Sequence, residues 1–211
     1  MKLLELFCGT KSISNVFAEM GVKTFTIDFN PKFNPDLCID IMDLDISMLP
    51  WMPNVVWASP DCRTWSIASV GHHWNNHIPK TDECKKGVEL LNKTLDIIEE
   101  INPLYLFLEN PMGMMRKYPR IQKLSEIYFH HTVTYCKYGD LRMKPTDIWT
   151  NNPNWHPKPM CTPKRKGTVN NCHHEKAPRG SKSGTQGLKS AMERSRIPRA
   201  LCVEIRDSCI L

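Results

Sequence analysis

The chain has 211 residues, a hydrophobic content of 41% and a formal net charge of +6. This length suits one domain with a small appendage, and no apolar run approaches the length of a membrane span. The N-terminal residues lead into a strand-like segment rather than a secretory signal, so we expect a cytoplasmic protein whose nine cysteines are thiols.

The first thirty or so residues read as a nucleotide-binding unit. Residues 2–7 predict a strand, 8–10 a tight turn, 12–20 a helix and 22–27 a second strand that ends at Asp28. This order is typical of a Rossmann-type half, in which the acid accepts hydrogen bonds from ribose hydroxyls. The turn has one glycine, so a pyrophosphate ligand is poorly supported. Asp28, and Asp40 after a short strand at 37–39, can alternatively be solvated loop acids.

Two reactive groups follow apolar strands in the middle of the chain. The run 55–58 predicts a buried strand, and Pro60 ends it so that Cys62 lies in the following loop. A thiol there can act as a nucleophile if its surroundings favour the thiolate. Residues 83–101 predict an amphipathic helix and 104–108 a strand buried on both faces. Glu109 follows that strand, where poor solvation would raise its pKa and suit a proton donor; the alternative is an ordinary loop acid.

The remaining elements complete the predicted fold. We interpret the histidine-bearing segment 72–77 as a loop near the substrate rather than a metal site. Residues 130–138 predict a strand that pairs antiparallel with 147–149 at the sheet edge, and 200–205 predict a short closing helix. The fold class expected is α/β, with a Rossmann-like, mostly parallel, doubly wound sheet and a small basic insert.

Positive charge is concentrated near the C-terminus. Residues 151–199 hold 11 Lys and Arg against two Glu, whereas the rest of the chain has a balance of −3. This asymmetry indicates a polyanion binder, although a solvated basic loop is the alternative. The stretch is poor in apolar residues, so a metal ion could order it. We predict zinc ligands at His156, Cys161, Cys172 and His174, with unligated residues in a flexible loop as the alternative.

Five motifs, in this order, resemble the DNA cytosine-5 methyltransferase family. They are Leu6-Phe7-Cys8-Gly9-Thr10, Ser59-Pro60-Asp61-Cys62-Arg63-Thr64-Trp65-Ser66, Glu109-Asn110-Pro111, Tyr138-Gly139 with Arg142 and Lys144, and Arg196-Ile197-Pro198 with Leu201. The chain departs from the family pattern in three places. Asp61 replaces the proline before the cysteine, Arg142-Met143-Lys144 replaces a Gln-x-Arg triplet, and only about forty residues fill the place of the recognition domain.

The resemblance implies methylation of carbon 5 of cytosine in DNA, with S-adenosylmethionine as donor and the target base flipped out of the duplex. It makes Cys62 the nucleophile that adds to carbon 6 and Glu109 the acid that protonates ring nitrogen 3. Arg142 or Lys144 would steady charge on the base or the backbone. The implied cofactor-binding residues are Phe7, Gly9, Thr10, Asp28, Phe29, Asp40, Ile41 and Pro60. Asp28 would take the ribose, Asp40 the adenine amino group and the turn the amino-acid part.

We therefore expect a catalytic domain over 1–150, a basic target-recognition insert over 151–193 and a closing helix over 194–211 that packs back on the catalytic domain. The protein would be a monomer of a compact, phage-like type in a bacterial or phage-infected cytoplasm, with a short or weakly specific target. Two alternatives stay open. One is a catalytically degenerate nucleic-acid-binding protein, and the other is an RNA cytosine-5 methyltransferase.

Overall fold

The computed structural model describes residues 1–161, 172, 174 and 191–209. Within them lie nine strands and six α-helices. The strands are β1 (Lys2–Leu6), β2 (Lys23–Asp28), β3 (Leu37–Cys38), β4 (Val55–Ala58), β5 (Trp74–Asn75), β6 (Ile78–Pro79), β7 (Tyr105–Pro111), β8 (Phe129–Thr134) and β9 (Pro145–Thr150). The helices are α1 (Ser12–Ala18), α2 (Val70–His73), α3 (Asp82–Ile101), α4 (Pro119–Ile127), α5 (Ala191–Ser195) and α6 (Arg199–Cys209).

Seven strands form one sheet in the order β3-β2-β1-β4-β7-β9-β8. The first five are parallel, and β9 runs antiparallel to both of its neighbours. The chain order reverses between β1 and β4, because β2 and β3 extend the sheet on one side and β4 and β7 on the other. Ligands of doubly wound sheets bind at the carboxyl ends of the strands beside such a reversal. The predicted Rossmann-like class is confirmed, and the loops after β1 and β4 meet at the switch point.

The sheet is covered on both faces, as its apolar strands predict. Side chains alternate along each strand, so Leu4 contributes to the face under α3, whereas Leu3 contributes to the face under α1 and α6. All four residues of β4 are buried. Burial of each large apolar side chain contributes about 1.5–3 kcal/mol, so this two-sided core fixes the strand ends that carry the site.

The segment predicted as one strand over 130–138 is a strand only as far as Thr134. Residues 135–138 form a 3-10 helix that Gly139 ends at φ 91°, a left-handed conformation that glycine adopts without strain. The segment 72–77 also differs from the predicted loop. It contains α2 and a hairpin of β5 and β6, whose turn residues Asn76 and His77 both have positive φ. Such turns match the strand twist, and neither turn residue is the glycine that normally signals one.

The main body continues past the predicted boundary at residue 150. The side chain of Asn152 bonds to Ser208, and the Trp155 indole N–H donates to Glu204 at 3.1 Å. Helix α6 packs on α1, where Arg199 makes a bidentate ion pair with Glu19. Most of the predicted insert, residues 162–171, 173 and 175–190, lies outside the described residues. Among the helices that are described, none is both long and apolar enough to cross a membrane.

Candidate active site

The turn after β1 forms the floor of a cleft. Phe7, Gly9 and Lys11 all have positive φ, so the chain folds tightly before α1 begins. The Cys8 amide donates to the carbonyl of Ile27 at 3.0 Å, and the Gly9 amide donates to the Asp28 carboxylate at 3.0 Å. The end of β2 therefore holds the turn, and the same aspartate that was predicted to bind ribose helps to shape it.

A cavity of about 200 Å³ lies beside this turn and gathers the predicted cofactor residues of β2 and β3. Its lining includes Phe7, Asp28, Phe29, Asp40 and Ile41. Phe29 is 70% exposed and borders the cavity, so its ring is accessible to a ligand. Asp40 caps a 3-10 helix by accepting a hydrogen bond from the Met42 amide at 3.0 Å, and its carboxylate remains at the cavity wall.

A second cavity, of about 190 Å³, contains the reactive groups. Residues from five separate parts of the chain line it: Phe7, Cys8, Gly9, Thr10 and Ser12 after β1, Ser59, Pro60, Asp61 and Cys62 after β4, Glu109 and Pro111 in β7, Lys144 before β9, and Ser195 at the end of α5 with Ile197 before α6. Phe7 and Asp61 line both cavities. The two cavities therefore form adjoining halves of one cleft.

The loop that carries Cys62 is held at both sides. On one side the Asn110 amide group donates to the Pro60 carbonyl at 2.9 Å, which joins the loop to β7. On the other side Trp65 is fully buried, and its carbonyl accepts from the Met114 amide at 2.7 Å. The Asp61 carboxylate accepts a hydrogen bond from the Arg63 guanidinium at 2.6 Å.

Glu109 is buried at the end of β7 rather than in the loop after it. The buried hydroxyl of Tyr135 donates to its carboxylate at 3.1 Å. Burial raises the pKa of Glu109, whereas Lys144 and the hydrogen bond from Tyr135 act in the opposite direction. The net direction is upward, as predicted from its place at a buried strand end, and this favours the protonated form near neutral pH.

Cys62 and Lys144 form an electrostatic pair across the cavity. Burial raises the pKa of the Cys62 thiol, Lys144 opposes this, and Glu109 and Asp61 add to it. The Lys144 ammonium also lies 4.6 Å from the centre of the Tyr135 ring. A cation so placed stabilises negative charge on the sulfur or on a ligand beside it.

The structure separates the two cations that the sequence grouped together. Arg142 is buried away from the cavity, where it binds Asp140 in a bidentate ion pair and donates to the carbonyls of Arg194 and Arg196. It is not among the described residues that line the cavity. Arg142 thus fastens the start of the C-terminal segment, and Lys144 alone of the pair faces the cleft.

Tyr135 was not singled out from the sequence, because it lies in the middle of a segment read as an ordinary strand. Ser195 and Ile197 were likewise not expected in the cavity lining. Their arrival depends on the fastening of the C-terminal segment by Arg142, which no local pattern reveals.

The cysteine and histidine side chains of the basic region gather elsewhere. The ligand atoms of Cys136, Cys161, Cys172 and His174 lie within 4.8 Å of one another. Three of these were predicted as zinc ligands. The fourth predicted ligand, His156, is exposed and lies outside the group. Cys136 of the 3-10 helix supplies the fourth ligand atom instead.

Comparison with known proteins agrees with this geometry. The family described as C-5 cytosine-specific DNA methylase matches residues 1–131. A Frog virus 3 (isolate Goorha) protein named "Probable DNA (cytosine-5)-methyltransferase" is 30% identical over 225 aligned residues, which cover 99% of this chain and 100% of that protein.

Two solved structures share the fold. A candidate DNA modification methyltransferase encoded within an Escherichia coli prophage is 16% identical with a TM-score of 0.54, over 75% of this chain and 51% of that one. A methyltransferase of Entamoeba histolytica is 11% identical with a TM-score of 0.51, over 75% and 55%. This chain spans about half the length of both. The family match over more than half the chain and the viral relative along nearly all of it lead to one conclusion: this chain belongs to the C-5 cytosine-specific DNA methylase family.

Proposed function

We propose that the chain transfers a methyl group from S-adenosylmethionine to carbon 5 of cytosine in DNA, through a covalent bond between Cys62 and the base. The observation that carries this proposal is the shared cavity. Cys62, Glu109 and Lys144 line it together with the Phe7–Thr10 turn, so a nucleophile, a proton donor and a cation meet beside the cofactor cleft.

The residues of the adjoining cavity fit an adenosyl group. The exposed Phe29 ring offers a stacking face, Ile41 an apolar wall, and Asp28 and Asp40 two acceptors at the edge. When bound there, S-adenosylmethionine supplies an electrophilic methyl group on a sulfonium. The turn at Gly9 would direct the amino-acid end toward the cavity of Cys62, because Phe7 borders both spaces.

Cys62 forms the bond to carbon 6 of the ring. The thiol must first lose its proton, since only the thiolate is strongly nucleophilic. Burial raises the pKa of the thiol and opposes this loss, whereas Lys144 acts in the opposite direction without reversing the net rise. Lys144 is therefore the residue proposed to stabilise the thiolate as it adds to the base. Attack at carbon 6 gives carbon 5 the electron density it needs to accept the methyl group. Transfer of the carbon-5 proton to solvent water then returns its electron pair to the ring and expels Cys62 as the thiolate.

Glu109 donates a proton to ring nitrogen 3 as Cys62 adds. Burial raises the pKa of Glu109, which favours the protonated carboxyl that this step needs. Tyr135 acts as a positioning residue, because its buried hydroxyl fixes the direction of the carboxyl. The carbon-5 atom of cytosine is hidden in a duplex, so the base must be flipped into this cavity.

The substrate proposed is DNA, bound by a monomer. The basic balance of residues 151–199 suits phosphate contacts, which give affinity without reading sequence. Any metal that the chain binds is proposed to be structural, because the cysteine and histidine cluster is not part of the described lining of the catalytic cavity.

The test is transfer of label from methyl-labelled donor to duplex DNA, followed by digestion to nucleosides. We expect label in 5-methylcytosine with the wild type and none with Cys62→Ser. Cys38→Ser, which changes an exposed cysteine, is the matched control and should keep activity. Label in RNA but not in DNA would show that RNA is the substrate. Label in 5-methylcytosine with Cys62→Ser would refute the covalent bond between Cys62 and the base.

The cofactor cavity has its own matched pair. Asp40 and Asp45 each cap a 3-10 helix by accepting from the amide two residues ahead, at 3.0 and 2.8 Å, but only Asp40 lines the cavity. Calorimetry with S-adenosylhomocysteine should show about tenfold weaker binding for Asp40→Ala and little change for Asp45→Ala, which corresponds to about 1.4 kcal/mol. Absence of binding by the wild type would favour a degenerate nucleic-acid-binding protein.

A further inference from the structure

Four metal-binding side chains converge outside the catalytic cavity. Cys136 lies in the 3-10 helix after β8, Cys161 ends the stretch that follows β9, and Cys172 and His174 come from the basic region. One ligand atom from each lies within 4.8 Å of the other three. Residues so distant in sequence meet here because the chain returns to the end of β8 after leaving the sheet.

The distances suit a tetrahedral ion. A zinc ion bound at about 2.3 Å by sulfur and about 2.0 Å by nitrogen places a sulfur and a nitrogen ligand about 3.6 Å apart and two sulfurs about 3.8 Å apart. Cys161 Sγ and His174 Nδ1 are 3.6 Å apart. All four ligand atoms lie within 4.8 Å of one another, a limit that includes the sulfur–sulfur spacing of about 3.8 Å expected around zinc.

Two of the four ligands are held rigidly by the body. Cys136 and Cys161 are each 2% exposed. The Cys161 amide donates to the Thr134 hydroxyl at 2.8 Å, which fixes that residue against the end of β8. Cys172 and His174 are half-buried and belong to the region that is poor in apolar residues. The body thus presents two cysteine side chains, and the basic region supplies the other two ligands.

We propose that Cys136, Cys161, Cys172 and His174 bind one structural zinc ion that fastens the basic region to the end of β8. Three sulfurs and one imidazole with four ligands and no open position are typical of a structural zinc site. Binding deprotonates the thiols and releases their protons to solvent, and no redox step is involved. The ion would take the place of the hydrophobic core that this region cannot build.

The proposed zinc site would also connect Cys172 and His174 to a residue next to the catalytic cavity. Tyr135, which bonds Glu109, directly precedes Cys136. A zinc ion on Cys136 would therefore anchor positively charged chain one residue from the positioning tyrosine. This arrangement would hold the phosphate-binding region close to the cavity that receives the base.

The first experiment measures metal in the purified full-length protein by plasma mass spectrometry. We expect one zinc per chain in the wild type, and loss of most of it in Cys136→Ser and His174→Ala. His156→Ala and Cys38→Ser are matched controls, because both residues are exposed and outside the group. Their zinc content should equal that of the wild type. Equal zinc in all four variants, or loss in His156→Ala, would overturn the assignment.

A second measurement does not depend on variants folding. The denatured wild type is titrated with a thiol reagent, with and without a chelator. Zinc binding predicts nine reactive thiols, because the chain has nine cysteines and a zinc ion leaves its cysteine ligands reduced, and it predicts release of one zinc as the thiols of the native protein are titrated. Seven thiols and no zinc would show a disulfide among Cys136, Cys161 and Cys172, and nine thiols without zinc would show an unmetallated cluster. Either result refutes the proposal.

Discussion

Replacing Tyr135 by phenylalanine tests how Glu109 is held. The Tyr135 hydroxyl is buried and donates to the carboxylate at 3.1 Å, while Thr146 bonds to the same hydroxyl. Removal takes one hydrogen bond from the buried Glu109 carboxyl and one from Thr146, which keeps its contact with the Lys144 carbonyl at 3.4 Å, and this costs about 1–3 kcal/mol of folding free energy. The bond from Tyr135 also lowers the pKa of Glu109 against the larger effect of burial. Tyr135→Phe should therefore raise that pKa further, so that Glu109 stays protonated to a higher pH.

Two assays separate the effect of Tyr135→Phe on Glu109 from its effect on folding stability. The infrared band of the protonated Glu109 carboxyl is identified by its absence from Glu109→Gln. In an infrared titration, this band should persist to a higher pH in Tyr135→Phe than in the wild type. Single-turnover methylation should slow by about ten- to a hundredfold, which corresponds to about 1.4–2.7 kcal/mol of transition-state stabilisation. Tyr138→Phe is the matched control, since its buried hydroxyl also makes two bonds, to Glu204 and Lys158, but none to Glu109. This role would be refuted if the pH midpoint at which the band disappears were lower in Tyr135→Phe than in the wild type, or if Tyr138→Phe shifted that midpoint equally.

Three further predictions concern the support of the site. A Cβ at Gly113 would lie 2.1 Å from the Trp65 carbonyl, so Gly113→Ala should displace the Cys62 loop. We expect kcat to fall about tenfold while S-adenosylhomocysteine binding stays unchanged. Gly71→Ala is the control and should keep kcat, because a Cβ there meets open space. Lys144→Met should raise the pH midpoint of Cys62 alkylation by iodoacetamide, because Lys144 opposes the effect of burial, and an unchanged midpoint would contradict this. Burial raises the pKa of Glu5 from 4.5 to about 7. Between pH 4.5 and about 7 the folded state therefore holds a proton that the unfolded state releases. Urea titrations should show the free energy of unfolding falling by about 3 kcal/mol as pH rises through this range, and Glu5→Gln should abolish the fall.

The parallel part of the fold was predictable because its signals are local. Buried strands such as β4 read as short apolar runs, and α3 reads as one apolar stripe that begins and ends within a residue of the structure. The hairpin at 74–79 was missed because its turn uses Asn76 and His77 in the left-handed region rather than glycine. Helix α4 was missed as well, and only Ile121 of its residues is buried, so its apolar pattern is weak.

The site divides in the same way. The shared cavity of Cys62, Glu109 and the Phe7–Thr10 turn was predictable, because each lies at or just after the end of a recognisable strand and parallel strand ends meet at one edge. Arg142 and Lys144 looked equivalent in sequence, yet the ion pair with Asp140 turns one of them inward. Cys136 was passed over as a ligand because it lies 25 residues before Cys161, and only the return of the chain to β8 brings the two together.

The most direct measurement of the central claim is covalent trapping on DNA that contains 5-fluorocytosine. Fluorine at carbon 5 blocks the loss of the proton that would free the enzyme, so the protein–DNA bond should persist after denaturation. Peptide mass spectrometry should place that bond on Cys62, and only when the methyl donor is present. A trapped bond at another residue, or label transferred to carbon 5 with no bond to Cys62, would contradict the account.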